Sequence, residues 1–327
     1  MLVTVLMSVY NAKSYLADSI ESILNQTYRD FEFIIIDDGS TDGSGAIIQK
    51  YAACDSRIVY VKNRTNIGLA KSLNKGIKLA KGKFIARQDA DDLSANDRLE
   101  MQADYALANN YVDLIGSNCF VIDILGNSVC EVNTYAKIKD HQTTLLNKLA
   151  IFPHGSAFIK KAKLLEVGLY DERFFYSQDG ELWLRFIKAN SRIHVINRPL
   201  YFYRTLPVAN TKKKSAQQQY NEVKRMIYRD KCDRSTINDK LNNIKLQISD
   251  KKNSTIIPNY MADYWKGLAN TIYFNKPVNN VSPYQYLYKA TKEHQPFYKY
   301  LQYLKLGILY AMPPQFLKML HQPKSNV

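Results

Sequence analysis

Arg87-Gln88-Asp89-Ala90-Asp91-Asp92 is the stretch on which the reading of this chain turns. It follows Lys83-Phe84-Ile85-Ala86, a short buried-strand pattern, and precedes Ser94-Ala95-Asn96, the expected start of a helix. Its carboxylates therefore fall on a strand-to-helix loop, where open α/β sheets bind ligands. Carboxylates two residues apart in an extended segment can aim at one point, and like charges crowded in a cleft need neutralising. A hard divalent cation does this, and Mg²⁺ or Mn²⁺ held by one or two carboxylates usually also holds substrate phosphates. A solvated acidic turn that caps the next helix explains the same residues, so the loop alone leaves both readings open.

The sequence before this loop alternates strand and helix. Leu2 to Val9 is a β-rich apolar run, and Leu16, Ile20, Ile23 and Leu24 then recur on one helical face. Phe31 to Ile36 reads as a buried parallel strand, stopped by Asp37-Asp38-Gly39-Ser40-Thr41-Asp42. Ser40 or Asp42 is expected to cap the helix carrying Ala46, Ile47 and Ile48. Ile58 to Val61 is a third strand, and Leu69, Leu73, Ile77 and Ala80 mark a helix ended by Gly82. This alternation predicts a parallel sheet with right-handed crossovers. Tyr10-Asn11, Asp37-Asp38 and Asp89 to Asp92 each follow a strand's C-terminal end, so they can line one crevice.

Beyond Asp92 the pattern changes. A helix is expected over Asp97 to Leu107, strand over Leu114 to Ser117 and Cys119 to Ile122, and a hairpin turn at Gly126-Asn127 before Ser128 to Val132. Lys137 to Leu149 reads as helix, and Phe152 to Ile159 as a loop running into a strand. Gly180 to Ala189 is helical, with Leu182, Trp183 and Phe186 facing inward and Asp179 either a simple N-cap or a functional acid.

The pieces, taken together and in order, resemble inverting nucleotide-sugar glycosyltransferases of family two, with the GT-A fold, of the bacterial surface-polysaccharide type. They are Ser8-Val9-Tyr10-Asn11, Gln26-Thr27-Tyr28, Phe33 to Asp42, Asn66-Ile67-Gly68-Leu69, Ala80-Lys81-Gly82, Arg87 to Asp92, His154-Gly155-Ser156 and Gln178 to Arg185. The resemblance covers about the first 205 residues. It implies a GT-A domain over 1–205, a Rossmann-like, mostly parallel sheet flanked by helices. The donor site would then be built from Ser8, Val9, Tyr10, Asn11, Asp37, Asp38, Asn66, Gly68, Arg87, Asp89, Ala90, Asp91 and His154. By the same resemblance Ser8 and Tyr10 lie against the nucleotide base, and Asp38 accepts a hydrogen bond from it. Asp89 approaches the ribose. Asp91, with Asp89, holds a Mn²⁺ or Mg²⁺ ion on the diphosphate of a UDP-sugar, and Asp179 is the catalytic base. Two positions depart from the family pattern: Gln178 stands where an acid is common, and Gly180 where a large residue is common. His154 fits either a pyrophosphate or acceptor contact or a structural loop position. Arg87 fits either an ordering partner of the acidic loop or a purely structural role.

Charge divides the chain unevenly. Residues 1–205 carry 25 Lys+Arg against 23 Asp+Glu, while residues 206–327 carry 20 against 7, a net +13. The second segment also holds half of the 24 tyrosines, which suggests a separate, mainly helical Lys/Tyr-rich region. Lys212-Lys213-Lys214, Tyr260, Tyr264, Trp265, Tyr284, Tyr286, Tyr288, Tyr298, Tyr300, Tyr303, Leu304 to Met312 and Phe316 to Leu320 suit a surface resting on anionic lipid. Alternatively, the tyrosines pack and the lysines are solvated. The expected acceptor is a sugar hydroxyl of a glycan or lipid-linked glycan. No signal-peptide pattern begins the chain and no apolar stretch approaches ~18 residues. Four scattered cysteines suit a reducing compartment. A cytoplasmic protein, peripheral at the inner membrane face, is expected. A nucleotidyltransferase would share the sheet and metal, but Ser8-Val9-Tyr10-Asn11 lacks its glycine-rich phosphate loop. The near-neutral first 205 residues argue against a nucleic-acid-binding protein.

Overall fold

Two seven-residue apolar runs form the centre of the sheet, β1 (Val3–Val9) and β2 (Phe31–Asp37), and every residue of β2 is buried. Burial on both faces is what a parallel strand covered by helices requires. In this computed structural model residues 2–133, 135–147, 150–207, 211–229, 233–249, 260–277 and 282–292 are described. Helix α1 (Lys13–Leu24) joins the first two strands. It is followed by α2 (Ser44–Cys54), β3 (Ile58–Lys62), α3 (Leu69–Leu79) and β4 (Phe84–Asp89). Next come β5 (Leu93–Ser94), α4 (Arg98–Ala108), β6 (Leu114–Ile122) and β7 (Ser128–Val132). The chain continues through α5 (His141–Leu146), β8 (Phe158–Lys160), α6 (Lys161–Glu166), α7 (Gln178–Lys188) and β9 (Ile193–Arg204). It then forms α8 (Thr211–Tyr228), α9 (Arg234–Ser249), α10 (Tyr260–Phe274), β10 (Lys276–Pro277) and α11 (Pro283–Lys292).

The described chain divides into two compact units. The first comprises Met1–Cys119, Asn133–Tyr203 and Lys212–Ser254. Its sheet runs in the order β6-β8-β4-β1-β2-β3. β1 pairs in parallel with β2 and β4, and β2 with β3, while β8 is antiparallel to both β4 and β6. One face packs under α1 and α4 through Leu16, Ile20, Ile23, Leu99 and Ala103. The other packs under α3 and α7 through Leu73, Ile77, Leu182, Trp183 and Phe186.

The expected boundary at 205/206 does not coincide with this division. Helices α8 and α9 belong to the first unit because Tyr220, Val223, Ile237, Leu241 and Ile244 bury around Phe174. The second unit holds Phe120–Val132, Arg204–Thr211 and the described residues from Tyr260 onward. Its core gathers Val129 and Cys130 with Tyr264, Trp265, Leu268, Tyr286 and Leu287. Three of the aromatics expected at a lipid surface are therefore packed, at 8%, 7% and 4% exposure for Tyr264, Trp265 and Tyr286, while Tyr288 is 61% exposed. Tyr298, Tyr300, Tyr303, Leu304 to Met312 and Phe316 to Leu320 lie outside the described residues.

Several local expectations change. Residues 94–96 do not start a helix: β5 intervenes, and α4 begins at Arg98. Of the helix expected over 137–149, the described residues form α5, where Asp140 caps by accepting from Thr143 N at 2.9 Å; residues 148–149 lie outside the described residues. Asp42 does bind the first turn of α2, taking the Ser44 N–H at 2.9 Å, although Gly43 holds the cap position itself. Gly126 turns the hairpin at φ +86°, where a side chain would be strained.

Gly82 lies so close to β1 that a Cβ there would meet Thr4 N at 2.5 Å. Backbone cannot yield as a side chain does, so Gly82→Ala is expected to destabilise by about 2 kcal/mol. A lowered urea midpoint with an unchanged slope would show it.

Candidate active site

The parallel register brings three loops to one edge. Val9 faces Asp37 across β1 and β2, and Ser8 faces Asp89 across β1 and β4. Tyr10 stands 52% exposed beyond the end of β1. Asn11, at φ +52°, accepts the Thr41 N–H on its Oδ1 at 2.8 Å and gives its own N–H to Ser40 Oγ at 3.1 Å. The first two loops are thus laced to each other.

Asp37 and Asp38 are buried and largely occupied. Asp37 accepts from Ser40 N at 2.9 Å and from Tyr60 Oη at 3.2 Å. Asp38 accepts from Asn63 Nδ2 at 2.8 Å and from the Ile67 and Gly68 N–H groups, each at 2.9 Å. Of the roughly four acceptor positions of a carboxylate, Asp38 retains one. Its main work is to shape the Asn66-Ile67-Gly68 loop, where Gly68 sits at φ +95°. A Cβ on Gly68 would lie 3.5 Å from the Phe175 ring, which places the approach to α7 beside that loop.

The acidic loop rests on buried cations. Arg87 is 1% exposed, and its guanidinium donates to the Asp89 carboxylate, to Gln88 O and, at 3.3 Å, to Leu6 O. Arg98 is fully buried. It donates to Arg87 O at 2.7 Å, Ser94 Oγ at 2.8 Å, and Gln88 Oε1 and Gln102 Oε1 at 3.1 Å. Gln88 in turn donates to Asp92 O at 2.9 Å and Ser19 Oγ at 3.1 Å, and Ser19 Oγ donates to Asp89 O at 2.9 Å. Burial on its own pushes the Asp89 carboxyl up, but Arg87, His154 and Arg98 together hold it below the usual carboxylate value. Burial, reinforced by the charge of Arg87, brings Arg98 down to about 10, so it is protonated at neutral pH.

β5 pairs with β9, placing Leu93 opposite Phe202 and Ser94 opposite Tyr201. Tyr201 Oη accepts the Asp89 N–H at 3.2 Å. Gly155 lies against the same group: a Cβ there would overlap Tyr201 Oη and come within 2.9 Å of Asp89 Oδ2. One Asp89 oxygen is therefore committed to Arg87, and the other lies beside Gly155, where Tyr201 leaves no room for a side chain. Asp91 and His154 are half-buried, and Ala90 is buried. Among the described residues no three His, Cys, Asp or Glu side chains converge as an all-protein metal centre. The Asp89/Asp91 pair fits instead the class in which one or two carboxylates and substrate phosphates share a hard cation.

His154 links this loop to α7. Its Nε2 lies 2.8 Å from Tyr170 Oη. Burial and the charge of Arg87 lower it to about 4, against the pull of both Asp179 and Asp89. One imidazole thus feels the acidic loop and the α7 carboxylate together. Asp179 is half-buried in the first turn of α7, whose preceding residue, Ser177, is at φ +59°. Tyr170, Tyr201 and Arg98 were not expected from sequence, because none of them belongs to a motif that marks it out.

A scan of known families matches residues 4–167 to glycosyl transferase family 2. An uncharacterised glycosyltransferase of Methanocaldococcus jannaschii is 38% identical over 207 residues, covering 62% of this chain and 70% of that protein. Among solved structures, Staphylococcus aureus TarS 1–349 in complex with UDP gives a TM-score of 0.56 at 18% identity, over 84% of this chain and 83% of that one. A Pyrobaculum calidifontis mannosyltransferase in complex with GDP-Man and Mn²⁺ gives 0.53 at 16% identity, over 97% of this chain and 82% of that one. The shared architecture is the GT-A fold.

A neutral, half-buried His154 has a pH consequence. Its folded value lies below the unfolded one, so the unfolded chain binds the extra proton first. Stability from this group is therefore full above about pH 6.5 and falls as pH drops toward about 4. The wild type is expected to lose stability more steeply across that window than His154→Asn, by up to about 1.4 kcal/mol per pH unit. Urea denaturation at half-unit pH steps measures it.

Proposed function

The chain belongs to glycosyl transferase family 2, and we propose that it moves a hexose or N-acetylhexosamine from a UDP-sugar to a hydroxyl of a glycan acceptor, with inversion. The observation that carries this reading is the parallel register of β1, β2 and β4, which brings Ser8, Val9, Asp37 and Asp89 to one edge of the sheet.

In this scheme Tyr10, exposed at the end of β1, and Ser8, Val9 and Asn11 receive the base, with the last acceptor position of Asp38 available for a base N–H. Asp37 supports this edge from beneath, and Asn66 and Gly68 form its far wall. Asp89 and Asp91, flanked by Ala90, would hold a Mn²⁺ or Mg²⁺ ion, which when bound neutralises charge on the departing diphosphate. Arg87 keeps Asp89 ionised and oriented. Asp179 takes the proton of the acceptor hydroxyl as that oxygen attacks the anomeric carbon. The bond from that carbon to the diphosphate breaks on the opposite face, and configuration inverts. His154, neutral near pH 7, donates or accepts a hydrogen bond beside the reacting groups without adding a like charge to Arg87.

The resemblance in sequence supports a surface-polysaccharide setting with a lipid-linked acceptor. The net charge of +13 over residues 206–327 supports peripheral contact with an anionic membrane. No helix among the described residues is long and apolar enough to cross one.

Thermal-shift titration with UDP, GDP, TDP and ADP, each with Mn²⁺ and with EDTA, tests the donor. Stabilisation by UDP that EDTA removes is expected. A response to GDP alone would replace the donor class, and no response to any would sink the active-transferase reading. Asp179→Asn is expected to abolish transfer, by at least about a hundredfold, while sparing UDP binding. Asp91→Ala should weaken the metal-dependent UDP response itself. Wild-type transfer by Asp179→Asn would remove Asp179 as the base.

A further inference from the structure

The first turn of α7 has an unusual neighbour. Lys224, on α8, is only 4% exposed, and a Cβ built on Gly180 would lie 2.8 Å from its Nζ. The ammonium therefore occupies the space left by the absent side chain of residue 180, one position after Asp179. It is brought there by packing rather than chance. Tyr220 and Val223, on the same helix, are at 0% and 2% exposure. The Tyr220 ring lies 5.5 Å from Phe174 and 6.2 Å from Tyr176, on the segment that leads into α7. A lysine is rarely buried to this degree unless a partner repays the loss of water.

We propose that Lys224 is a positioning residue for Asp179, its ammonium seated in the Gly180 gap to hold the carboxylate aimed at the acceptor. This rests on the reading of Asp179 as the base. Other charged and titratable groups bear on the same place. Arg225 and Glu181 act on Lys224 alongside Asp179. His154 and Tyr170 also feel the charge of Asp179. Burial pulls Lys224 below the ordinary lysine value; Asp179 opposes this first, and Glu181 opposes it less strongly than Asp179. Glu181 is already engaged by Arg185, at 2.7 and 2.8 Å, so the ammonium of Lys224 faces Asp179 as the carboxylate not already held by an arginine of α7.

The test is a pH titration of the full chain carrying ¹³C,¹⁵N-lysine, read by NMR, with the Lys224 signal identified by its loss in Lys224→Arg. In Asp179→Asn the Lys224 midpoint is expected to fall by about one pH unit, because the carboxylate that favoured the charged amine is gone. Glu181→Gln should move it less. A second variant reaches the geometry directly: in Gly180→Ala the added methyl displaces the ammonium outward, and the midpoint should rise toward that of an ordinary lysine. An unchanged midpoint in Asp179→Asn, or a larger drop in Glu181→Gln, would overturn the proposal, as would an unmoved signal in Gly180→Ala. These outcomes do not depend on whether Asp179 is the base. That reading fails separately, if Asp179→Asn transfers sugar at the wild-type rate.

Discussion

The pairing of a buried arginine with the first carboxylate of the acidic loop governs the rest of the site. Arg87 reaches Asp89 from inside the sheet, and Arg98 holds the carbonyl of Arg87 from below. Buried ion pairs add little net stability, because lost hydration offsets most of the attraction. What this pair fixes is direction. Asp89 presents one oxygen inward and the other to the space beside Gly155, and Tyr201 fixes the backbone between them. A loop rich in negative charge would otherwise splay to separate its carboxylates. Here its main-chain carbonyls and N–H groups are tied down by Gln88, Ser19 and Tyr201 before any ligand arrives.

The parallel sheet was legible because its strands are continuous apolar runs with polar residues placed at their C-terminal ends. Two consequences followed without any structure: the strands are adjacent, and their ends share an edge. β9 was not legible. Its sequence, Ile193-His194-Val195-Ile196-Asn197-Arg198-Pro199-Leu200-Tyr201-Phe202-Tyr203-Arg204, has polar residues and a proline where alternation would be read. The supports of the acidic loop were equally hidden. Arg98 and Tyr201 act through contacts across long stretches of chain, and one sequence has no signal that pairs them with Arg87 or Asp89. Asp38 follows the end of β2, where the apolar run stops, while its partners Asn63, Ile67 and Gly68 emerged only from the fold.

Composition located a break near residue 205, yet packing draws the line elsewhere. The first two helices after that point complete the unit that carries Asp179, because the segment Phe174 to Tyr176 offers aromatic surface that α7 cannot cover alone. The later helices and the β7–β10 pair make a second core of their own, rich in Tyr and Trp. Lysine enrichment thus covers two different structural roles, and one of its members, Lys224, is not on the surface at all.

The hydrogen bond from Asp89 to Tyr201 spans 112 residues. Its ends are made far apart in time during synthesis, at roughly 5–20 residues per second. The parallel strands β1 to β4 can begin to assemble on the ribosome, but the acidic loop stays without its Tyr201 and Arg98 supports in place together until β9 has emerged. The nascent chain therefore carries an incompletely supported acidic loop while most of the sheet already exists. Ordering of that loop therefore waits on the late return of a single antiparallel strand, although the rest of the sheet can form before it.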